Sequence, residues 1–250
     1  MSRSITRLLA APFYRQHYVS IAKSVQYVDY YRFFIKRYIL GKGQYPFTCR
    51  VRTPTGIVSL VIYQHEDTFT IQEVFGIDCY AARDEKVIVD FGANIGVSAA
   101  YFLTRNRNSF VYGFEPLPSN LEKLKRNLAA FEGRYEVTNA AVAAEAGTLT
   151  FRVEPTGRYS GVENVVGEEH SFPAVSATDV LRRIAAQHGE IDLLKVDIEG
   201  AEVDIFASLD RATLSKVKLI YIEGSTKLEL PDFRHSLTVS GIHRYDRIAA

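Results

Sequence analysis

One stretch, Val87–Val97, constrains the fold of this chain more than any other. Its first three residues are apolar and β-branched, which is typical of a strand buried on both faces. The strand ends at Asp90, a turn with Gly92 and Gly96 follows, and an apolar helix begins near Val97. Glycines let a ligand approach the backbone, and a helix N-terminus presents free N–H groups. The stretch therefore predicts a nucleotide-type binding corner.

The glycine spacing argues against a dinucleotide. A dinucleotide-binding turn has glycines at its first, third and sixth positions. Counted from Gly92, the third and sixth positions hold Asn94 and Val97. This spacing provides poorly for a pyrophosphate and disfavours a nicotinamide-dependent oxidoreductase. Asp90 followed by Gly92 and Gly96 instead resembles motif I of class I S-adenosylmethionine (SAM) methyltransferases.

A second acidic residue supports the same interpretation. Phe110–Glu115 is predicted to form the next strand. Glu115 follows Asp90 by about 25 residues, near the spacing at which nucleotide-binding folds place a ribose-binding carboxylate. One carboxylate can accept two hydrogen bonds and so hold a ribose diol. Ribose binding is favoured over a solvated residue at a strand end.

The composition is that of one globular domain with an appendage. The 250 residues have a net charge of +1 and are 47% hydrophobic, enough for a sizeable core. The sequence has no run of about 18 apolar residues that would predict a transmembrane helix, and its first residues lack the apolar core of a secretory signal. The two cysteines, Cys49 and Cys79, have no metal-ligand spacing, so we expect a cytoplasmic location.

Residues 1–41 are predicted to form an N-terminal helical segment. Residues 1–40 hold seven Lys or Arg and one acidic residue, a charge of +6, whereas the remainder carries −5. Aromatic residues alternate with cations between Tyr27 and Tyr38, so peripheral membrane contact or contact with a polyanion is one interpretation. We favour a helix packed on the domain with its basic side in water, because any surface helix has such an apolar stripe.

The remaining chain is divided into two predicted regions. Residues 42–85 form a lead-in β-hairpin and a short helix, with strands at Phe47–Thr53 and Ile57–Tyr63. Residues 86–250 alternate strands with helices, which predicts an α/β fold with a mostly parallel sheet and helices on both faces. Ligands in such sheets bind outside the carboxyl ends of the strands.

Weaker patterns give further element predictions within residues 86–250. Tyr135–Val142 is predicted as the third strand, with Thr148–Val153 beside it. Residues 154–173 have no period and are predicted as a long loop, which is often a functional feature. Phe233–Ser240 is predicted as a helix, which leaves one clear strand after Gly241.

Four segments together resemble the FkbM family of SAM-dependent methyltransferases: Asp90–Gly96, Phe114–Pro116, Asn139–Val142 and Leu194–Glu202. The last segment is the most specific of them. The resemblance implies a class I, Rossmann-like methyltransferase fold and a SAM-dependent O-methyltransferase that acts on hydroxyls of sugars or other small molecules. The sheet of this family usually ends in an antiparallel hairpin, from which this chain would depart.

The resemblance also implies the cofactor contacts. The expected SAM-binding residues lie in the glycine turn and at strand ends: Asp90, Gly92, Ala93, Asn94, Gly96, Glu115 and Asp197. Asn139 and Ala140 are candidates for the adenine pocket. The product would be S-adenosylhomocysteine.

Methyl transfer to a hydroxyl is an in-line displacement in which the acceptor also loses a proton to a nearby base. Asp197, at the end of a predicted strand, is the first candidate for this base; Glu199 and the loop residue His170 follow. Asp197 could instead cap the following helix or hold the SAM amine, and His170 could be a solvated loop residue. Lys195 is expected to pair with a carboxylate, because an unpaired buried charge is costly.

Three carboxylates in the sequence raise the question of a metal site, and the family resemblance bears on the partners. Asp197, Glu199 and Glu223 could hold a hard cation such as Mg²⁺, but we favour three separate carboxylates and expect no metal. The predicted partner is a small-molecule or sugar hydroxyl acceptor, and no nucleic acid is expected. The alternative is a non-catalytic binding or membrane-associated protein on a methyltransferase fold.

Overall fold

The computed structural model describes residues 24–153, 167–198, 200–224, 227–238 and 240–248. The chain divides into two compact units, residues 1–81 (unit 1) and 82–250 (unit 2). The predicted helical segment 1–41 lies only partly within the described residues. No helix in the described part of the chain is long and apolar enough to cross a membrane.

Unit 1 combines a β-hairpin with short helices. Strands β1 (Phe47–Thr53) and β2 (Gly56–Ile62) pair antiparallel around the predicted turn. The helical elements are, in chain order, a 3-10 turn (Ser24–Gln26), the π-helical α1 (Tyr31–Ile39), α2 (Asp67–Ile71) and a π-helical turn (Gln72–Ile77). The alternation of buried and exposed residues along both strands gives the hairpin one inner face.

Aromatic rings and one buried cation form the interior of unit 1. Tyr27 is almost fully buried, its hydroxyl donates to Gln72 Oε1 at 2.7 Å, and its ring centroid is 4.5 Å from that of Phe33. The guanidinium carbon of Arg37 lies 3.6 Å from the ring centroid of Phe47. These contacts fix the inner side of α1 on the hairpin.

Unit 2 contains ten strands, five α-helices and one 3-10 turn (Ala129–Phe131) among its described residues. The strands are β3 (Val87–Phe91), β4 (Phe110–Phe114), β5 (Tyr135–Thr138), β6 (Ala141–Ala143), β7 (Gly147–Val153), β8 (Glu168–Ser176), β9 (Ile191–Val196), β10 (Val217–Ile222), β11 (Phe233–Leu237) and β12 (His243–Arg247). The helices are α3 (Val97–Leu103), α4 (Pro118–Leu128), α5 (Ala177–His188), α6 (Glu202–Ser208) and α7 (Arg211–Leu214).

Seven of these strands form the main sheet, in the order β11-β12-β10-β9-β3-β4-β5. The five strands from β10 to β5 run parallel, and β12 and β11 complete the edge antiparallel. The predicted fold class, a mostly parallel α/β sheet of the class I methyltransferase type, is therefore confirmed. The strand order changes direction beside β3, which places the glycine turn at the topological switch point of the sheet.

The apolar core of unit 2 includes one face of this sheet. Leu194, Val196 and Ile220 form one buried cluster with Leu181 and Ile184 of α5. Each such side chain contributes about 1.5–3 kcal/mol on burial. Because successive strand residues point to opposite faces, the residues between these apolar ones are left for the other face.

The prediction of a third strand at Tyr135–Val142 is only partly correct. The chain leaves the main sheet after β5, and β6 joins a separate sheet of order β6-β8-β7. Thr148–Val153 was predicted beside the third strand, but it pairs antiparallel with β8. Sequence alternation identifies a strand without identifying its partner, because the partner is set by contacts distant in sequence.

The predicted long loop 154–173 is wrong from Glu168 onward, where β8 begins; residues 154–166 lie outside the described residues. The first part of β8 is Glu-Glu-His-Ser, and all four side chains are exposed. A strand without an apolar alternation gives no period, which explains the error.

The predicted helix at Phe233–Ser240 is wrong. Phe233–Leu237 is β11, which pairs residue by residue with β12. Apolar residues four apart fit a helix face and also one face of a strand, so pairing with β12 decides the structure. The expected departure from the family's sheet is therefore also wrong, since the antiparallel hairpin is present.

Candidate functional site

The carboxyl ends of the parallel strands bring together the charged residues of the site. Asp90 of β3 and Lys195 of β9 are direct partners in the parallel register, so their side chains share one face. Lys195 Nζ lies 3.1 Å from Asp90 Oδ1 and 3.2 Å from Asp197 Oδ2. Nζ also donates to the carbonyl oxygen of Gly92 at 3.1 Å. One ammonium thus joins the end of β3, the glycine turn and the end of β9.

Asp90 is fully buried and retains hydrogen-bonding capacity. Its Oδ2 accepts from Ser98 Oγ of α3 at 2.6 Å. Its Oδ1 is within ion-pair distance of Lys195 but outside hydrogen-bond geometry, and no described residue donates a hydrogen bond to it. A buried oxygen without a donor is costly, so this position is suited to a further donor or cation.

The cluster around Lys195 has an excess of negative charge. Burial lowers the pKa of Lys195, but Asp90, Asp197 and Glu223 raise it by more, and the net shift is upward. Lys195 is therefore protonated at neutral pH. With two carboxylates within ion-pair distance of one ammonium, the cluster favours a cationic ligand over an anionic one.

Gly92 is required by both conformation and space. Its φ is +81°, and a Cβ atom there would lie 1.8 Å from the backbone oxygen of Asp197. Asp197 N in turn donates to Phe91 O at 3.1 Å. The turn after β3 and the segment after β9 therefore touch backbone to backbone. Gly96, with φ +84°, begins α3 at a point where a Cβ would lie 3.0 Å from Leu124 Cγ.

Glu115 links the glycine turn to the start of α4. Its Oε2 accepts from Asn94 N at 2.9 Å, and its Oε1 accepts from Leu117 N at 2.9 Å and from Asn120 Nδ2 at 3.4 Å. Burial raises the pKa of Glu115 to about 7, although these three donors lower it in part. An ionised carboxylate offers about four acceptor positions, so one position remains for a ligand.

The two adenine-pocket candidates lie next to Glu115. Asn139 Nδ2 donates to the carbonyl oxygens of Glu115 and Pro116, both at 2.9 Å, and its side chain is exposed. Ala140 is buried. These bonds use both N–H groups of the Asn139 amide. The amide oxygen is an acceptor and can accept a hydrogen bond from an amine.

The three base candidates have different surroundings. Asp197 lies in the Lys195 cluster with its side chain 31% exposed, and it does not cap α6, whose N-cap is Ala201. Glu199 lies outside the described residues. His170 lies in β8 rather than in a loop; its side chain is 51% exposed and its Nε2 is 3.7 Å from a Glu168 oxygen. These contacts give His170 no link to the cluster, whereas Asp197 belongs to it.

Two residues of the site, Ser98 and Glu202, were not predicted from the sequence. Ser98 follows Asp90 by eight residues and lies in the first turn of α3, which places its hydroxyl near the end of β3. Glu202 accepts from Ile198 N at 3.3 Å and Gly200 N at 3.0 Å, which closes the segment after β9. Glu202 stands in the segment that carried the family resemblance, so its position in the motif was the available signal.

The residues at this edge fit SAM. The fit rests on three observations: the donor-free Oδ1 of buried Asp90, the side-chain-free turn at Gly92, and the remaining acceptor capacity of Glu115. Among the described residues, no group of three or more His, Cys, Asp or Glu side chains is placed to hold a metal ion. The individual roles of the predicted cofactor-binding and catalytic residues stay predictions.

Comparison with known proteins identifies related sequences. A family model described as the methyltransferase FkbM domain matches residues 90–238. AMB antimetabolite synthetase AmbE of Pseudomonas aeruginosa is 26% identical over 203 residues, which are 64% of this chain and 9% of that protein. The 31-O-demethyl-FK506 methyltransferase FkbM of Streptomyces tacrolimicus is 27% identical over 213 residues, 69% of this chain and 80% of that protein. Among solved structures, a methyltransferase from Geobacter sulfurreducens is similar, with 16% identity, a TM-score of 0.40, and coverage of 66% of this chain and 73% of that one.

Replacing Gly92 with Ala should damage the turn far more than the same change at Gly133. The two glycines have φ values of +81° and +78°, but nothing lies within 4 Å of a Cβ at Gly133. Gly133→Ala should lower the free energy of unfolding by about 1 kcal/mol, the conformational cost alone. Gly92→Ala should lower it by at least about 3 kcal/mol, because backbone must also move. Urea unfolding of both variants measures the difference, and equal losses would contradict the close approach.

Replacing Lys195 with Met should strongly destabilise unit 2. The change leaves Asp90 buried without its cation, which costs about 3–5 kcal/mol. The matched control is Lys218→Met, whose partners Asp192 and Glu190 lie at 2.8 and 3.3 Å on the surface; its cost should be about 0–1 kcal/mol. Chemical unfolding of both variants checks the comparison, and a loss at Lys195 no larger than at Lys218 would argue against a buried ion pair.

Stability should depend on pH through Glu115. In the folded state its pKa is about 7, against an ordinary value of 4.5, so between these values the folded state binds more protons than the unfolded state. The free energy of unfolding should therefore fall by about 3 kcal/mol as the pH rises from 4.5 to 7. Glu115→Gln should remove this part of the slope, and parallel curves for the two proteins would refute the assignment.

Proposed function

Because this chain belongs to the FkbM methyltransferase family, we propose that it transfers a methyl group from SAM to a hydroxyl oxygen of a small molecule or sugar. The observation that carries the proposal is the buried Lys195 cluster, with Asp90 and Asp197 within 3.2 Å of one ammonium beside a glycine turn. The Streptomyces relative is a 31-O-demethyl-FK506 methyltransferase, and its O-methylation supports a hydroxyl acceptor here.

The proposed cofactor site divides SAM among three groups of residues. When bound, SAM supplies an electrophilic methyl group on a sulfonium. Glu115 would accept hydrogen bonds from the ribose hydroxyls, and Asn139 and Ala140 would border the adenine. The negative cluster at Asp90 would balance the positive charge of the amine and the sulfonium. The turn residues Gly92, Ala93, Asn94 and Gly96 would leave room for the methionine part.

Asp197 is the proposed general base. Lys195 lies 3.2 Å from Asp197 Oδ2 and so fixes the orientation of the carboxylate, while the partial exposure of the side chain leaves it accessible to an acceptor. The proton of the acceptor hydroxyl would pass to Asp197 as the oxygen becomes nucleophilic, and then to water. General bases of this kind contribute about 10²–10⁴-fold to a rate. Glu199 and His170 are the remaining candidates.

The proposal is tested by cofactor binding and by turnover in the same preparations. Calorimetric titration should detect SAM and S-adenosylhomocysteine binding to the wild-type chain, and Glu115→Ala should weaken both. Methyl-labelled SAM and a panel of glycosides and other polyols should then give a labelled ether. With a productive acceptor, Asp197→Asn should lower kcat by about 10²–10⁴-fold and leave the Kd for SAM nearly unchanged.

The matched control for this experiment is Asp204→Asn, which changes the same chemical group on the exposed side of α6. It should alter neither kcat nor the Kd for SAM. A rise in the Kd for SAM with Asp197→Asn and an unchanged kcat would assign Asp197 to the SAM amine instead. A well-folded wild-type chain that binds neither SAM nor S-adenosylhomocysteine would refute the proposed function.

A further inference from the structure

The outer side of α1 and the segment after it combine apolar and basic side chains. This surface, called here the basic strip, consists of Tyr31, Arg32, Lys36, Ile39, Leu40 and Lys42, all exposed. Tyr31 is 66% exposed, Ile39 42% and Leu40 54%. Residues four apart are neighbours on a helix surface, so Arg32, Lys36 and Leu40 form a row.

Helix α1 is held in place mainly by the side opposite the basic strip. The opposite side of the helix provides Phe33, Phe34 and Arg37, which are all buried. The rings of Phe34 and Tyr38 stack with centroids 5.4 Å apart, and Arg37 lies over Phe47. Within the strip, Arg32 also reaches this packing, because its guanidinium carbon lies 5.5 Å from the ring centroid of Phe47; the remaining members of the strip are exposed to solvent.

Basic residues outnumber acidic ones along the segment that contains the basic strip. Residues 24–62 contain six Lys or Arg and a single acidic residue, Asp29. The Asp29 carboxylate is bound by Arg50, with both carboxylate oxygens 2.9 Å from guanidinium nitrogens. Among the described residues, Lys36 and Lys42 have no carboxylate within ion-pair distance. The strip is thus complementary to an anionic surface.

The apolar members of the strip separate a bilayer from a soluble polyanion. A nucleic acid or heparin-like chain neutralises the cations but offers little apolar surface against which Ile39 and Leu40 could be buried. A bilayer interface accepts both, because the cations reach headgroup phosphates while aliphatic and aromatic side chains enter the acyl boundary. Cations close to the membrane surface are attracted further by anionic lipids.

We propose that the basic strip docks unit 1 on the surface of an anionic lipid bilayer. In this arrangement Arg32, Lys36 and Lys42 bind lipid phosphates, and Tyr31, Ile39 and Leu40 enter the interface. The inference does not depend on methyl transfer, since it rests on unit 1 alone.

Sedimentation of the full-length chain with vesicles tests the proposal. The chain should bind vesicles of phosphatidylcholine mixed with phosphatidylglycerol, and should bind pure phosphatidylcholine weakly. Added salt should reduce binding, because it screens the cations. Lys36→Gln/Lys42→Gln should lower the partition coefficient about 25-fold, at about fivefold for each cation. Ile39→Ser/Leu40→Ser should lower it about tenfold or more.

Two matched controls make the result specific. Lys125→Gln/Arg126→Gln removes the same charge from exposed positions of α4, and Leu237→Ser/Ile248→Ser removes similar apolar area, at 60% and 56% exposure. Both controls should bind vesicles like the wild type. Equal losses in strip and control variants would overturn the proposal. RNA binding by the wild type that Ile39→Ser/Leu40→Ser leaves unchanged would also overturn the proposal. A wild-type dimer that these substitutions dissociate would overturn it as well.

Discussion

Unit 2 is organised around the compensation of one buried charge. Lys195 is 3% exposed and Asp90 is not exposed at all, so either charge would be costly to bury there without the other. The ammonium also binds the Gly92 carbonyl and the Asp197 carboxylate, so the charge requirement of a single side chain fixes the positions of two chain segments. The glycine turn and the segment after β9 are held together by this ion pair as well as by their backbone contact.

The same constraint explains why the site is predisposed to a cation. An ion pair of one acid and one base would be neutral, whereas Lys195 lies between the carboxylates of Asp90 and Asp197 and leaves the cluster negative. Glu115, immediately after the neighbouring strand β4, adds a further carboxylate. Burial raises its pKa to about 7, so this group is largely protonated below that pH. Donors from Asn94, Leu117 and Asn120 keep this group in place in either state. A positively charged ligand that also brings hydroxyl donors satisfies both parts of the site.

The sequence was sufficient where local pattern and ligand chemistry coincide. Val87–Val89 forms a buried strand because its apolar, β-branched residues have no polar alternation. Gly92 must be glycine, because its φ is +81° and a Cβ atom would lie 1.8 Å from the backbone oxygen of Asp197. The pairing of Lys195 with a carboxylate was predictable from burial, but its partner was not, since Asp90 is 105 positions earlier and only the β3–β9 register brings the two together. The errors at β8 and β11 have the same origin. Both strands carry polar residues whose conformation is set by partners elsewhere in the chain, so neither the period nor the propensity of the segment identified them.

The two units differ in charge in a way that the net value of +1 conceals. Residues 1–81 hold ten Lys or Arg and five Asp or Glu, a charge of +5, and residues 82–250 hold 20 and 24, a charge of −4. The structure shows where part of each charge resides: cations on the outer side of α1, carboxylates at the strand ends of unit 2. A uniform distribution of the same residues would provide neither surface. Exposed cations are solvated and cost little, whereas buried carboxylates are costly without a cation, so the carboxylate surface is the one whose charge requires compensation. The ligands proposed for the two surfaces differ accordingly, an anionic and extended one for the basic strip and a small cationic one for the carboxylates.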